Sequence, residues 1–281
     1  MQIPFSSQVD RLIELAIDED VGHGDITTQF LDFDGQQGEG CIIAKERLVL
    51  AGLDMVWRVF KKFDQNIIVD TIYQDGDHVE AGITVLTVIG DMASLLTGER
   101  TALNFLQRLS GIATHVRKYV EILDGSPVRL VDTRKTVPGW RVLEKHAVRA
   151  GGAYNHRMGL YDGVLIKDNH IAAAGTITEA VSRIRSRVSH LIRIEVETST
   201  IAEVEEAIGV GADVIMLDNM TDHEVPEAIA LINGRAVVEV SGRVDQDRIQ
   251  FLASAGVDII SSGALTHAAR FVDLSMDVSR I

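Results

Sequence analysis

The sequence contains very little cysteine and proline and no long apolar run, and each shortage excludes a class of protein. The single cysteine, Cys41, rules out an intramolecular disulfide framework and a metal site built on several cysteines. Four prolines and no low-complexity tract leave little room for a long disordered linker. No window reaches the roughly 18–20 consecutive apolar residues that a membrane span requires. The first residues also lack the basic and apolar regions of a secretory signal, so we expect a cytoplasmic protein.

Positive charge is scarce as well. The chain has 27 Lys+Arg against 41 Asp+Glu, a formal net charge of −14 and a pI near 5.0. This balance argues against a protein that binds nucleic acid through its overall charge. What remains is typical of a soluble globular protein, with 46% apolar and 24% charged residues. The 281 residues suffice for one large domain or two ordinary ones.

The first part of the chain predicts a smaller α+β, sandwich-like domain over residues 1–108, joined by the C-terminal tail at about 269–281. Apolar residues in 7–18 follow a helical stripe, 38–90 suggest short strands, and 94–122 suggest a long helix with one buried face. Residues 75–90 resemble the half-barrel of biotinyl and lipoyl carrier domains. The turn that would present the modified lysine is absent, so a small β-rich domain is the simpler interpretation.

The rest of the chain, 109–268, predicts an incomplete (β/α) barrel. Helical segments such as Ile201–Val210 and Gln246–Ala255 separate short apolar runs, as expected of repeated βα units around a parallel sheet. In a barrel, the strand ends form the face that carries chemistry. Six runs fall short of eight strands, and an open Rossmann-like sheet remains the alternative. The runs are Val128–Asp132, Gly163–Lys167, Ile192–Glu197, Asp213–Asp218, Ala236–Ser241 and Val257–Ser262.

Positive charge is concentrated in one segment. Residues 134–167 hold seven Lys/Arg and two carboxylates, a local balance of +5, which leaves −19 for the remainder. Arg141, Lys145 and Arg149 are spaced by four, which predicts a solvated helix face. The other basic groups follow strands or stand beside glycines, where a planar Arg suits a carboxylate and a Lys suits phosphate. We therefore expect an anion-binding site formed by Arg134, Lys135, His156, Arg157 and Lys167.

Two further signals lie at later strand ends. Glu197 and Asp218 end successive strands, and oxygen ligands held in this way suit Mg²⁺ shared with a substrate. Small residues end the last two strands, where backbone N–H groups commonly bind phosphate. These are Ser241, Gly242, Ser262 and Gly263. No Ser-His-Asp or Cys-His arrangement is evident, and no GxGxxG motif follows a strand.

Together these motifs resemble the quinolinate phosphoribosyltransferase family, and the resemblance covers nearly the whole chain in colinear order. Two motifs belong to the N-terminal part, Glu19-Asp-Val-Gly-His-Gly-Asp-Ile-Thr-Thr28 and Gly98-Glu-Arg-Thr-Ala-Leu-Asn104. The others are Asp132-Thr-Arg-Lys-Thr-x-Pro-Gly, Asn155-His-Arg-Met-Gly-Leu-Tyr-Asp-Gly-Val-Leu-Ile-Lys-Asp-Asn-His170, Glu195-Val-Glu197, Leu217-Asp-Asn219 and Ser262-Gly-Ala-Leu-Thr-His267.

The resemblance implies that quinolinate and phosphoribosyl pyrophosphate give nicotinate mononucleotide, pyrophosphate and CO₂, with Mg²⁺, in NAD biosynthesis. It also implies a homodimer in which Arg100 enters the partner's site. Quinolinate would contact Arg134, His156, Arg157 and Lys167. Lys135 would contact phosphoribosyl pyrophosphate, whose ribose and metal Glu197 and Asp218 would hold. The phosphate end would lie at Ser241, Gly242, Ser262, Gly263 and His267.

Two residues depart from the family's pattern, and two alternatives stay open. Trp140 stands where a smaller aliphatic residue is expected, and Arg243 where many relatives have glycine.

A related molybdenum-transport-associated branch shares the fold, although Lys167-Asp-Asn-His170 favours the quinolinate branch. A barrel that binds anionic metabolites without converting them is the other alternative. It would not require Glu197 and Asp218 together with Lys135.

Overall fold

The computed structural model describes residues 7–242 and 244–281. The helices are α1 (Ser7–Val21), α2 (Ile26–Leu31), α3 (Leu53–Phe63), α4 (Met92–Ile122), α5 (Arg141–Ala150), α6 (Asp168–Ala174), α7 (Ile177–Arg185), α8 (Ile201–Gly209), α9 (Glu224–Ile232), α10 (Gln246–Ala255) and α11 (Ala264–His267). The strands are β1 (Gln37–Ala44), β2 (Leu48–Val49), β3 (Ile68–Asp70), β4 (His78–Val79), β5 (Thr84–Asp91), β6 (Arg129–Val131), β7 (Val164–Ile166), β8 (Ile194–Thr198), β9 (Val214–Asp218), β10 (Val237–Ser241), β11 (Ile259–Ser261) and β12 (Leu274–Arg280).

The chain divides into two compact units that are not continuous in sequence. The first comprises the described residues as far as Lys118, together with Thr136–Gly152 and Leu265–Ile281. The second comprises Tyr119–Lys135 and Ala153–Ala264. The domain limits expected from the sequence, 1–108 and 109–268, stay a prediction.

The first unit contains an antiparallel sheet in the order β12-β1-β5-β3, with β2 and β4 paired separately. The prediction that 38–90 forms short strands was wrong for Leu53–Phe63, which is helix α3. Its buried side chains, Met55, Val56, Val59 and Phe60, are spaced as one face of a helix. That spacing, rather than the apolar runs around it, was the informative signal.

The second unit contains six parallel strands in the order β6-β11-β10-β9-β8-β7. This confirms the six predicted strands. From β7 to β11 each strand lies beside the next in sequence, and β6 joins β11, which is the order of a barrel rather than of a doubly wound sheet. Among the described residues β6 and β7 do not pair, so the barrel is open there. Tyr154 forms a single bridge beside Val131 at that edge.

Helices α7, α8 and α10 of the second unit start at side chains that satisfy backbone N–H groups of their first turn. Thr176 accepts from the N–H of Glu179 at α7, and Asp245 accepts from that of Arg248 at α10. At α8, Thr200 and Glu203 cap each other in a capping box. Such caps typically contribute about 1 kcal/mol each, and they fix where each strand–helix loop ends.

Helix α5 contradicts the expectation for Lys145, and the residue before it, Trp140, explains one departure from the family's sequence pattern. Lys145 was predicted on a solvated face, but it is 1% exposed, whereas Arg141 and Arg149 are half-buried. The prediction was wrong because spacing by four also describes a helix that is covered on nearly all sides. Trp140, just before α5, stacks on Phe105 of α4 with ring centroids 4.8 Å apart. Its large ring therefore serves packing within the first unit.

No helix in the described part of the chain is both long and apolar enough to cross a membrane.

Candidate active site

The strand ends of the second unit carry most of the predicted site residues. Asp218 and Ser241 are the last residues of β9 and β10 and lie opposite each other in register. Glu197 is the penultimate residue of β8, and Lys167 directly follows β7. Because these strands are parallel, their carboxyl ends meet at one edge of the sheet, where barrel enzymes hold their substrates.

A buried carboxylate fixes the segment that follows Tyr154. Asp132, directly after β6, is fully buried and accepts hydrogen bonds from this segment. The Nδ2 of Asn155 donates to it at 2.6 Å, and the backbone N–H of His156 donates at 2.9 Å. These two bonds hold the backbone of residues 155–156 against the edge strand.

The two arginines of the predicted anion site lie close enough for their charges to interact. Burial and the neighbouring charge of Arg134 lower the pKa of Arg157 from its ordinary value, whereas Glu195 and Asp162 act in the opposite direction. Arg157 is oriented by donating from Nη1 to the carbonyl oxygen of Gly163 at 2.9 Å. Arg157 is half-buried and Arg134 is exposed, and two guanidinium groups that repel each other form a site suited to a ligand with more than one negative charge.

Lys167 and Glu197 form an ion pair across β7 and β8. The backbone N–H of Lys167 donates to Nδ1 of His170 at 3.0 Å, which ties the lysine to the first turn of α6. Lys167 and His170 of the Lys-Asp-Asn-His motif thus fix a single loop, and the amine of Lys167 is held beside the sheet edge. A substrate carboxylate at Lys167 would compete with Glu197 for the same ammonium group.

The turn after β10 requires glycine. Gly242 has a φ of +82°, and a Cβ there would lie 2.3 Å from Oδ1 of Asn219. Asn219 itself donates from its backbone N–H to the carbonyl oxygen of Ser241 at 3.0 Å, and from Nδ2 to Asp218 at 2.6 Å. The loops after β9 and β10 are therefore in direct contact, and a side chain at 242 would separate them.

A cluster of one histidine and two glutamates lies beside Arg157. Nε2 of His156 is 3.2 Å from Glu195 and 3.7 Å from Glu239, and both carboxylates are buried. Burial, and then the charge of Glu195, raise the pKa of Glu239 to about 7. The cluster therefore holds at least one proton near neutral pH.

Comparison with known proteins decides the family. Residues 25–110 match the N-terminal domain and residues 112–277 the C-terminal domain of quinolinate phosphoribosyl transferase. The chain is 46% identical to a probable nicotinate-nucleotide pyrophosphorylase [carboxylating] of Synechocystis, covering 97% of this chain and 93% of that protein. It is 44% identical to the probable enzyme of the same name from Bacillus subtilis, covering 97% and 94%. The crystal structure of NadC from Streptococcus pyogenes superposes with a TM-score of 0.95 at 42% identity, covering both chains completely.

The chain belongs to the quinolinate phosphoribosyl transferase family.

Most residues that the family pattern singled out are brought into the second unit. Arg100, on α4, is exposed and belongs to the first unit, as does the exposed His267 on α11. Arg243 lies outside the described residues. The roles assigned to these residues through the resemblance stay predictions. Those in the second unit are Arg134, Lys135, His156, Arg157, Lys167, Glu197, Asp218, Ser241, Gly242, Ser262 and Gly263.

The sequence analysis assigned no role to three buried carboxylates of this family member. Asp132 and Glu195 stood inside the family motifs, whereas Glu239 stood in none. A signal was present, because each is an acid at the end of or within a short apolar strand. Glu195 and Glu239 also precede Glu197 and Ser241 by two residues, which places each pair on one face of its strand. Acids in such positions must be hydrogen-bonded or protonated.

Proposed function

We propose that the chain transfers the phosphoribosyl group of phosphoribosyl pyrophosphate to quinolinate and releases pyrophosphate and CO₂, forming nicotinate mononucleotide. The paired guanidinium groups of Arg134 and Arg157 carry this proposal. A pyridine with two carboxylates offers the two negative charges that would relieve their repulsion. The full-length relatives named as carboxylating nicotinate-nucleotide pyrophosphorylases support the same reaction.

In the proposed reaction the chain mainly positions charge. Arg134, Arg157 and Lys167 bind the carboxylates and aim the pyridine nitrogen at the anomeric carbon, while Lys135 and the loops after β10 and β11 hold the phosphoribosyl donor. The nitrogen forms the new C–N bond as the bond to pyrophosphate breaks, and the ring becomes cationic. The carboxylate next to the nitrogen then leaves as CO₂, its electron pair stays on the ring carbon, and a proton replaces it. Orientation of this kind can supply several kcal/mol of the barrier.

We also propose that the reaction uses Mg²⁺. Glu197 and Asp218 would hold it, because carboxylate oxygens are its preferred protein ligands. Once bound, it would neutralise charge on the departing pyrophosphate. The ion pair between Lys167 and Glu197 fits this assignment, because the carboxylate of Glu197 already faces a cation at the sheet edge.

The test is a coupled measurement of pyrophosphate and CO₂. We expect both products in equal amounts when quinolinate, phosphoribosyl pyrophosphate and Mg²⁺ are present together, and neither when one is omitted. Nicotinate, with one carboxylate, is the matched control substrate and should be a poor acceptor. Equal turnover of nicotinate would contradict the assignment of quinolinate.

We further infer a homodimer in which Arg100 completes the partner's site. Its exposure supports this, and so do exposed apolar side chains on α2 such as Phe30. Arg100→Ala and Lys135→Ala should each be inactive. In a two-fold dimer, subunit exchange between them should restore about one quarter of the wild-type activity, because half of the sites in mixed dimers are intact. No recovery in verified mixed dimers would contradict the shared site. A cytoplasmic location stays a prediction that cell fractionation would test.

A further inference from the structure

The His–Glu–Glu cluster is tied to Arg157 through the backbone. Nδ1 of His156 accepts a hydrogen bond from the backbone N–H of Arg157 at 2.7 Å. On its other side, Nε2 of the same ring faces Glu195 at 3.2 Å and Glu239 at 3.7 Å. The imidazole thus links two strands of the sheet to the residue that carries one of the anion-binding guanidinium groups.

This hydrogen bond also assigns the tautomer of the ring. With its lone pair engaged, Nδ1 carries no proton, so the ring proton lies on Nε2 and is donated to Glu195. A protonated Nε2 has no lone pair for a metal ion. The cluster has the composition of a metal site, but its geometry is that of a hydrogen-bonded one.

Ligand atoms of His156, Glu195 and Glu239 all lie within 4.8 Å of one another, so a proton on one of the two carboxyl groups allows it to donate a hydrogen bond to the other. Glu239 is 2% and Glu195 is 8% exposed, and a second ionised group beside the first would be costly at such burial. The proton belongs on Glu239, the more deeply buried of the two. Arg157 and the ring of His156 are the other charged or titratable groups that act on this carboxyl pair.

We propose that Glu239 is a positioning residue, which in its neutral form holds Glu195 and His156 and thereby fixes the backbone at Arg157 for quinolinate. This inference rests on the proposed function, because its readout is quinolinate binding. Glu239 touches no substrate in this scheme. It sets the place of a guanidinium group that does.

The experiment compares three variants of the full chain. Glu239→Ala removes the hydrogen bond, whereas Glu239→Gln keeps the shape and hydrogen-bonding capacity of a protonated carboxyl group. Val240→Ala is the matched control, because it creates a cavity in the same strand from the opposite face. We measure KM for quinolinate, KM for phosphoribosyl pyrophosphate, and direct quinolinate binding.

We expect Glu239→Ala to raise the quinolinate KM by on the order of tenfold to a hundredfold, as displaced binding groups typically do. The KM for phosphoribosyl pyrophosphate should stay nearly unchanged, and Glu239→Gln should restore quinolinate binding. An unchanged quinolinate KM in Glu239→Ala would overturn the inference. So would a loss shared equally by both substrates and by Val240→Ala.

If Glu239→Ala does not fold, the inference is tested by comparing quinolinate binding of Glu239→Gln and Glu239→Asp. The inference requires Gln to bind quinolinate better than Asp, and the reverse order would overturn it. A wild-type chain that neither binds nor converts quinolinate overturns the proposed function and this inference with it. Normal wild-type turnover with an unaffected Glu239→Ala variant overturns this inference alone.

Discussion

Two histidines, one in each unit, lie beside buried carboxylates, and their surroundings differ. Nε2 of His146 is 2.6 Å from Asp75, whose two oxygens also accept from the backbone N–H groups of Gly52 and Leu53. His156 instead faces two carboxylates, and one oxygen of each, Oε1, has no hydrogen-bond partner. A buried acid that is fully hydrogen-bonded fixes the fold, whereas acids left partly unsatisfied are typical of a working site.

The pKa values of Asp75 and Glu239 differ between the two units as well. Burial alone would raise the pKa of Asp75, but the hydrogen bond and charge of His146 and the N–H groups of Gly52 and Leu53 outweigh it, so the pKa lies below its ordinary value. In the second unit, burial and the charge of Glu195 prevail, and the pKa of Glu239 rises to about 7. The first acid is therefore ionised and the second largely protonated in slightly acidic solution.

The largest effect is expected at Arg157, which follows His156 and is proposed to bind quinolinate. Arg157→Ala should weaken quinolinate binding by about 2–5 kcal/mol, because it leaves a desolvated carboxylate without its partner. Binding of phosphoribosyl pyrophosphate should change far less. Calorimetric titration of each substrate measures both. Arg183→Ala, which removes an exposed arginine of the same unit, is the control, and an unchanged quinolinate affinity in Arg157→Ala would refute the assigned role.

The second prediction tests the structural role of Asp75 in the first unit. Asp75→Asn should lower the free energy of unfolding by about 3 kcal/mol, the usual cost of removing one partner of a buried pair, and leave the quinolinate KM unchanged. Asp75 stabilises the fold above its ordinary pKa of 3.8, and this contribution is lost as the pH falls through the lower folded value. Denaturant unfolding should therefore show a gap between wild type and variant that is constant near neutral pH and narrows in acid. A raised quinolinate KM would contradict a purely structural role.

A smaller effect on stability is expected at Glu239, and its pH dependence is opposite to that of Asp75. The pKa of Glu239 is raised from 4.5 to about 7, so the wild type loses stability as the pH rises between these values, while the unfolded chain ionises first. Glu239→Gln does not titrate. Its stability relative to wild type should increase over that range by no more than about 3 kcal/mol and level off above it. Thermal unfolding at several pH values measures this difference, and a pH-independent difference would show that Glu239 does not hold the proton.

The sequence predicted the second unit better than the first because of how each buries its strands. Parallel strands covered on both faces are continuous apolar runs, so all six were visible as such. In the first unit the helix α3 was hidden among similar runs, and the buried Lys145 contradicted a spacing that usually marks a solvated face. Local pattern does not show which face of an element tertiary packing will cover.

Within the candidate site, the residues proposed to bind a ligand were more visible in the sequence than those that support them. Arg134 and Arg157 stand out as basic residues beside turns, and Glu197 stands at a strand end. Glu239 lies in the middle of a strand, and its importance depends on His156, a residue 83 positions earlier that the fold brings beside it. Such a contact arises only from the tertiary fold.

The pairing of β1 with β12 has a consequence for synthesis of the chain. Gly38 lies opposite Arg280, so β1 acquires one of its two neighbouring strands only after β12 has left the ribosome. Until then one edge of β1 carries unpaired backbone groups that can pair with another chain. Contacts between such distant residues also form slowly. The nascent chain therefore keeps an aggregation-prone edge throughout translation of the barrel, and shielding by a chaperone would matter most during that interval.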